Sequence, residues 1–156
     1  MTSILLVEDD EFNRTMIARA LTRAGHEVTE ATGGEDAISI GSRSRPTLLI
    51  ADWMLQNPVH GLHVAQALQL VDSRIRTILM TGYPSQDLFD ACAECGAAEL
   101  LTKPFRLAEL QRAVERAIGA HRCEPAATVA SIGLATVCTR ISGLTPTRLY
   151  GWPLGE

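Results

Sequence analysis

Residues 4–11 read Ile4-Leu5-Leu6-Val7-Glu8-Asp9-Asp10-Glu11, an apolar run that stops abruptly in acids. An unbroken apolar run of strand length suits a strand covered on both faces, and the acids mark its far end as polar. From Phe12 the apolar residues Met16, Ile17, Ala20, Leu21 and Ala24 recur at helical spacing, with Gly25 as the stop. The same alternation continues down the chain. His26 to Ala31 reads as a short strand, Gly33 to Ser42 as a weaker helix, and Thr47 to Ala51 as a second buried strand ending at Asp52. A loop with Asn57, Pro58 and Gly61 leads into a helix over about Leu62 to Val71, and the strand Arg76 to Met80 ends in Thr81. Pro84 is placed in the first turn of the next helix, which carries Leu88, Phe89 and Cys92 before Gly96. Ala98 to Thr102 is the last strand. The last helix follows Lys103-Pro104-Phe105, with Leu107, Leu110, Val114 and Ile118 on one face up to Gly119.

Five strand–helix units in a row argue for an α/β domain with a parallel sheet and helices on both faces. In such a sheet the carboxyl ends of the strands share one rim, where ligands bind. Glu8, Asp9, Asp52, Thr81 and Lys103, far apart in sequence, are therefore expected to converge.

The whole chain has 156 residues, 46% apolar and 21% charged, a balance that supports one packed core. A formal charge of −4 gives no basic field for holding nucleic acid through its phosphates, so no direct nucleic-acid partner is expected. The apolar runs are strand-sized, well short of the ~20 residues of a spanning helix. Met1 runs straight into a strand pattern without the features of an export signal, and a cytoplasmic location is expected. Cys92, Cys95, Cys123 and Cys138 are then expected to be free thiols. Beyond Gly119 the composition shifts to Ala, Ser, Thr, Gly and Pro. The expected division is a domain over 1–119 and a tail over 120–156 that is no separate domain.

The converging groups suggest a chemistry. Glu8, Asp9 and Asp52 would repel one another unless a cation offsets them, and a hard ion that accepts a few carboxylates plus water and phosphate oxygens, Mg²⁺, fits better than zinc. A carboxylate can accept a phosphoryl group while a metal and a positive side chain neutralise the charge, which makes Asp52 the candidate acceptor. Thr81 offers a hydroxyl and Lys103 an ammonium for the phosphoryl oxygens. Lys103 is the only lysine beside thirteen arginines, consistent with a need for a compact point charge at that position.

Four blocks, Ile4-Leu5-Leu6-Val7-Glu8-Asp9-Asp10, Leu48-Leu49-Ile50-Ala51-Asp52, Ile78-Leu79-Met80-Thr81-Gly82 and Leu100-Leu101-Thr102-Lys103-Pro104-Phe105, resemble those of a response-regulator receiver domain, in order over residues 3–119. The resemblance implies a flavodoxin-like strand order 2-1-3-4-5. It implies that Asp52 takes a phosphoryl group from a sensor histidine kinase or a histidine phosphotransfer protein, and that Asp9 and Asp52 bind Mg²⁺ directly. Glu8 would hold the ion through water, and Met54 would contribute its backbone carbonyl. Thr81 and Lys103 would bind the phosphoryl group, with Lys103-Pro104 cis. It further implies a single-domain regulator, a phospho-acceptor and not an enzyme in the usual sense, that signals to a protein partner through about residues 84–119. A homodimer stays open.

Three features depart from the family pattern. Leu100 stands where an aromatic residue usually switches, the loop between Asp52 and Gly61 is longer by one residue, and Met54 and Tyr83 are bulky at positions that tune hydrolysis of the acyl phosphate. Two alternatives follow: an Mg²⁺-dependent aspartyl-phosphate phosphatase or phosphotransferase, and a receiver-like docking module that needs no phosphate. The phosphatase class usually carries a second acid two residues after the nucleophile, where this chain has Met54. Elsewhere, Cys92 and Cys95 read as helix packing, His60 and His63 as a solvated loop pair, Trp53 as strand-end packing, and Asp10 and Glu11 as acids at a helix start.

Overall fold

The computed structural model describes residues 1–56 and 59–119. The strands are β1 (Ser3–Val7), β2 (Glu27–Ala31), β3 (Leu48–Asp52), β4 (Arg76–Thr81) and β5 (Glu99–Thr102). They alternate with α1 (Glu11–Arg23), α2 (Gly34–Ser44), α3 (Gly61–Val71), α4 (Gln86–Glu94) and α5 (Leu107–Gly119). All strand pairs are parallel, and the sheet order is β2-β1-β3-β4-β5, the order expected from the resemblance.

The apolar runs of β1 and β3 are unbroken because each face of the sheet meets a helical layer. Side chains alternate across a strand, so Ile4 and Leu6 join Leu48, Ile50, Ile78 and Met80 beneath α1 and α5. Leu5 and Val7 join Leu49, Ala51 and Leu79 against Val64, Ala65 and Leu68 of α3 and Leu88 and Cys92 of α4. Had either face been left to water, alternate positions would have been polar. Strand β2 lies at the edge and is mostly exposed.

Most boundaries lie within two residues of the expected ones, ordinary scatter for helix ends. Two details differ. Pro84 precedes α4 instead of lying in its first turn, because Ser85 is the N-cap and its hydroxyl accepts the Leu88 N–H at 3.2 Å. In α5 the buried stripe is Leu110, Ala113, Val114 and Ala117, whereas Leu107 is partly exposed at the start of the helix. Asp10 caps α1, its Oδ1 accepting the Asn13 N–H at 2.8 Å, and Glu11 stands in the first turn, as read from the sequence. Among the described residues no helix is long and apolar enough to cross a membrane. The expected tail over 120–156, with Cys123 and Cys138, lies outside the described residues, as do Asn57 and Pro58.

Candidate functional site: an acidic pocket at the strand ends

Parallel pairing in register brings the carboxyl ends of β1, β3 and β4 to one rim. Val7 pairs with Ala51, and Asp52 with Met80, so the residues that follow lie side by side. Ligand oxygens of Glu8, Asp9 and Asp52 lie within 4.8 Å of one another. Lys103, just beyond β5, reaches across this cluster. Its ammonium donates to Asp52 Oδ2 at 2.6 Å and to Glu8 Oε2 at 2.8 Å. The Lys103-Pro104 peptide bond is cis. Glu8, Asp52 and Lys103 are thus in one network with Asp9 beside it, and Thr81 adjoins it through its carbonyl, which accepts the Lys103 N–H at 2.6 Å.

The surroundings set the charge states. Glu8 is 1% exposed. Burial raises its carboxyl pKa above the ordinary value, the hydrogen bond from Lys103 opposes this, and the Asp52 and Asp9 charges add to the rise. Burial also works against the Lys103 ammonium, but the hydrogen bonds to Asp52 and Glu8 outweigh it, so its pKa is raised. One ammonium among three acids leaves the pocket with excess negative charge. Hard carboxylate oxygens this close together match the donor set that Mg²⁺ accepts.

Main-chain groups hold the acids in place. Asp52 Oδ1 accepts the Met54 N–H at 3.1 Å, and Asp9 Oδ2 accepts the Gln56 N–H at 3.1 Å, tying the loop after β3 to the loop after β1. Thr81 is fully buried, and its hydroxyl oxygen accepts the Tyr83 N–H at 3.1 Å, leaving its own hydrogen to donate. Gly61 opens α3 against the end of β3. A Cβ there would lie 2.2 Å from the Asp52 carbonyl oxygen, so only glycine permits this approach. The sequence reading missed the Gln56 amide and the part played by Gly61, since a backbone contact leaves no mark on residue type.

The remaining expectations divide. Cys92 is buried in the core and Cys95 closes α4, its thiol donating to the Cys92 carbonyl at 3.3 Å; both are free, in keeping with packing. Trp53 is partly buried against the α3 side of the core, also as expected. The histidine pair is not a solvated loop. His60 is the N-cap residue of α3 and His63 lies in its first turn, their ring centroids 5.7 Å apart, and His60 stacks on Trp53 at 6.4 Å and 13°. The indole supplies a flat apolar surface against which the His60 imidazole packs, and both histidines are half-buried. Leu100, in the place of the usual aromatic, packs partly buried against the same side of the core, and Tyr83 and Met54 are exposed.

The order β2-β1-β3-β4-β5, with an acidic pocket and a lysine at the strand ends, defines a flavodoxin-like α/β domain with its site at the carboxyl rim of the sheet. The family profile "Response regulator receiver domain" matches residues 4–115, and the chain belongs to that family. It is 27% identical over 117 residues to sporulation initiation phosphotransferase F of Bacillus subtilis, covering 74% of this chain and 94% of that protein. It is 34% identical over 106 residues to the transcriptional regulatory protein AfsQ1 of Streptomyces coelicolor, covering 68% of this chain but only 46% of the relative. Among solved structures, the Vibrio cholerae chemotaxis protein CheY4 superposes with a TM-score of 0.71 at 24% identity, covering 75% of this chain and 98% of that one. A receiver domain protein from Clostridium thermocellum gives a TM-score of 0.73 at 22% identity, with coverage of 78% and 98%. Receiver domains are the phospho-acceptors of two-component signalling, working with histidine kinases or phosphotransfer proteins and binding Mg²⁺ at their acidic pocket.

Proposed function

We propose that Asp52 accepts a phosphoryl group from a phosphohistidine of a sensor kinase or histidine phosphotransfer protein, in a pocket where Glu8, Asp9, Asp52 and the Met54 carbonyl hold Mg²⁺. The observation that carries this reading is Lys103, from another strand end, bonded to both Glu8 and Asp52 with Asp9 beside them. In the transfer an Asp52 carboxylate oxygen forms the new P–O bond as the donor's P–N bond breaks. The leaving imidazole nitrogen keeps the electron pair and then binds a proton. When bound, Mg²⁺ neutralises charge on the phosphoryl oxygens. Lys103 has three N–H donors, of which two serve Glu8 and Asp52, and the third is available to a phosphoryl oxygen. The free hydrogen of the Thr81 hydroxyl serves another.

In this reading residues 1–119 are the working domain and 120–156 an appendage. Single-domain action is part of the proposal, supported by the near full-length match to the Bacillus phosphotransferase. The phosphorylated state is read by a protein partner on the surface over 84–119, which includes the half-exposed Phe89 of α4. Slow loss of the phosphoryl group to water resets it. The reading is tested with radiolabelled phosphoramidate, the simplest donor with a P–N bond. Mg²⁺-dependent labelling of the wild type, blocked by EDTA and absent from Asp52→Asn, is expected. Labelling of Asp52→Asn at the wild-type level overturns the proposal.

A further inference from the structure

Arg14 lies in the first turns of α1, where a charged residue would ordinarily face solvent, yet its side chain is only 13% exposed. Its guanidinium turns back under the acidic loop. One terminal nitrogen donates to the Glu8 carbonyl at 2.9 Å and to the Asp9 carbonyl at 3.3 Å, and Nε pairs with Glu30 Oε2 of β2 at 3.4 Å. Leu6, two residues before Glu8, is in register with Glu30. The clamp therefore ties the loop after β1 both to the neighbouring strand and to the helix that follows.

From this geometry we infer that Arg14 is a positioning residue for the metal pocket, fixing the backbone from which the Glu8 and Asp9 carboxylates project. The inference rests on the proposed Mg²⁺ site. Mg²⁺ demands near-ideal octahedral geometry, so freedom in the ligand backbone is lost affinity. Groups that orient ligands from behind typically change metal affinity by about 10–100-fold when removed. Arginine suits the task because its planar fork reaches two carbonyls and a carboxylate at once, which a lysine ammonium does with less directional control.

The sign of the effect separates this role from plain electrostatics. Removing a positive charge near an acidic pocket makes the local field more negative and should tighten cation binding. Removing a positioning clamp should weaken it. The test is Mg²⁺ titration of the full chain, followed by the fluorescence of Trp53, which adjoins Asp52, in a Trp152→Phe background. Circular dichroism confirms folding at the titration temperature. Arg14→Met is expected to raise the Mg²⁺ dissociation constant about tenfold, Arg14→Lys by a smaller factor, and Glu30→Gln by about two- to threefold. If Arg14→Met does not fold, Arg14→Lys carries the test, because it keeps the charge and loses the fork. Unchanged or tighter binding in the folded variants overturns the inference while leaving the metal site intact. A wild type that does not bind Mg²⁺ overturns the site itself and the clamp with it.

Discussion

Substituting Asp9 by asparagine should stabilise the metal-free protein and make it less responsive to Mg²⁺. Ligand oxygens of Glu8 and Asp52 lie within 4.8 Å of those of Asp9, and at that distance two unit charges repel by about 3.5 kcal/mol at an effective dielectric of about 20 and about 0.9 kcal/mol in bulk water. Asp9 is half-buried, so about 1–2 kcal/mol per pair is a reasonable figure. Two such repulsions are offset by the attraction to Lys103, which bridges the other two acids, and by a weaker one to the Arg14 guanidinium, which is held at the Asp9 carbonyl. The asparagine oxygen keeps an acceptor for the Gln56 N–H, although that bond loses its charge assistance. The net gain for Asp9→Asn in EDTA is therefore about 1 kcal/mol, or roughly 3–5 °C in Tm for a domain of this size. Ligand that binds only the native state adds about 1.4 kcal/mol at ten times its Kd, so Mg²⁺ at higher multiples should lift the wild type above the variant. Thermal and urea unfolding with and without Mg²⁺ check both halves. A variant less stable than the wild type in EDTA, or one protected by Mg²⁺ as fully as the wild type, would show that Asp9 is neither repelled by its neighbours nor a metal ligand.

The buried Glu8 predicts a pH dependence. Its folded pKa is raised above 4.5, so the folded state binds the proton more tightly than the unfolded one, and stability falls as pH rises from 4.5 through the folded value. The stability of Glu8→Gln relative to the wild type should increase across that window, measured by urea unfolding, and a difference constant with pH would count against a buried, strained carboxylate. Lys103 acts in the alkaline range: its contribution is complete below its ordinary value of 10.5 and is lost as pH rises through the higher folded value, so Lys103→Met should remove an alkaline loss of stability present in the wild type. Gly61→Ala should cost at least about 1–3 kcal/mol in urea unfolding, since the Asp52 carbonyl oxygen 2.2 Å from the new Cβ is backbone and cannot swing away; an unaffected midpoint would show that α3 packs less closely than described. Burial pushes the Cys92 thiol up to about 11, so in a Cys95→Ala, Cys123→Ser, Cys138→Ser background folded protein should react with iodoacetamide at pH of about 8 on the order of a hundredfold more slowly than unfolded protein.

Strands were legible where the physics is unambiguous. A segment covered on both faces must be continuously apolar, and Ile4 to Val7 and Leu48 to Ala51 are fully buried. The pocket followed from topology, because a parallel sheet gathers every carboxyl strand end at one rim and leaves little freedom to Glu8, Asp9, Asp52 and Lys103. The start of α4 was misplaced because Pro84 and Ser85 are both good residues near a helix start, and the choice depends on whether the Ser85 hydroxyl reaches the Leu88 N–H. Arg14 was invisible for a different reason. A guanidinium on an amphipathic helix has a long stem that can turn outward or inward, and its partners here include main-chain carbonyls that carry no residue signature. The histidine pair likewise depended on Trp53, seven residues from His60, offering a face that spacing alone does not reveal.

The proposed mechanism depends above all on Asp52 being the carboxylate that receives the phosphoryl group. Incubating the full chain with acetyl phosphate and Mg²⁺, followed by intact-protein and tandem mass spectrometry, tests it most directly. One added phosphoryl group is expected, localised to Asp52, lost on alkaline treatment and absent from Asp52→Asn. A stable adduct on another residue, or an undiminished adduct on Asp52→Asn, would contradict it.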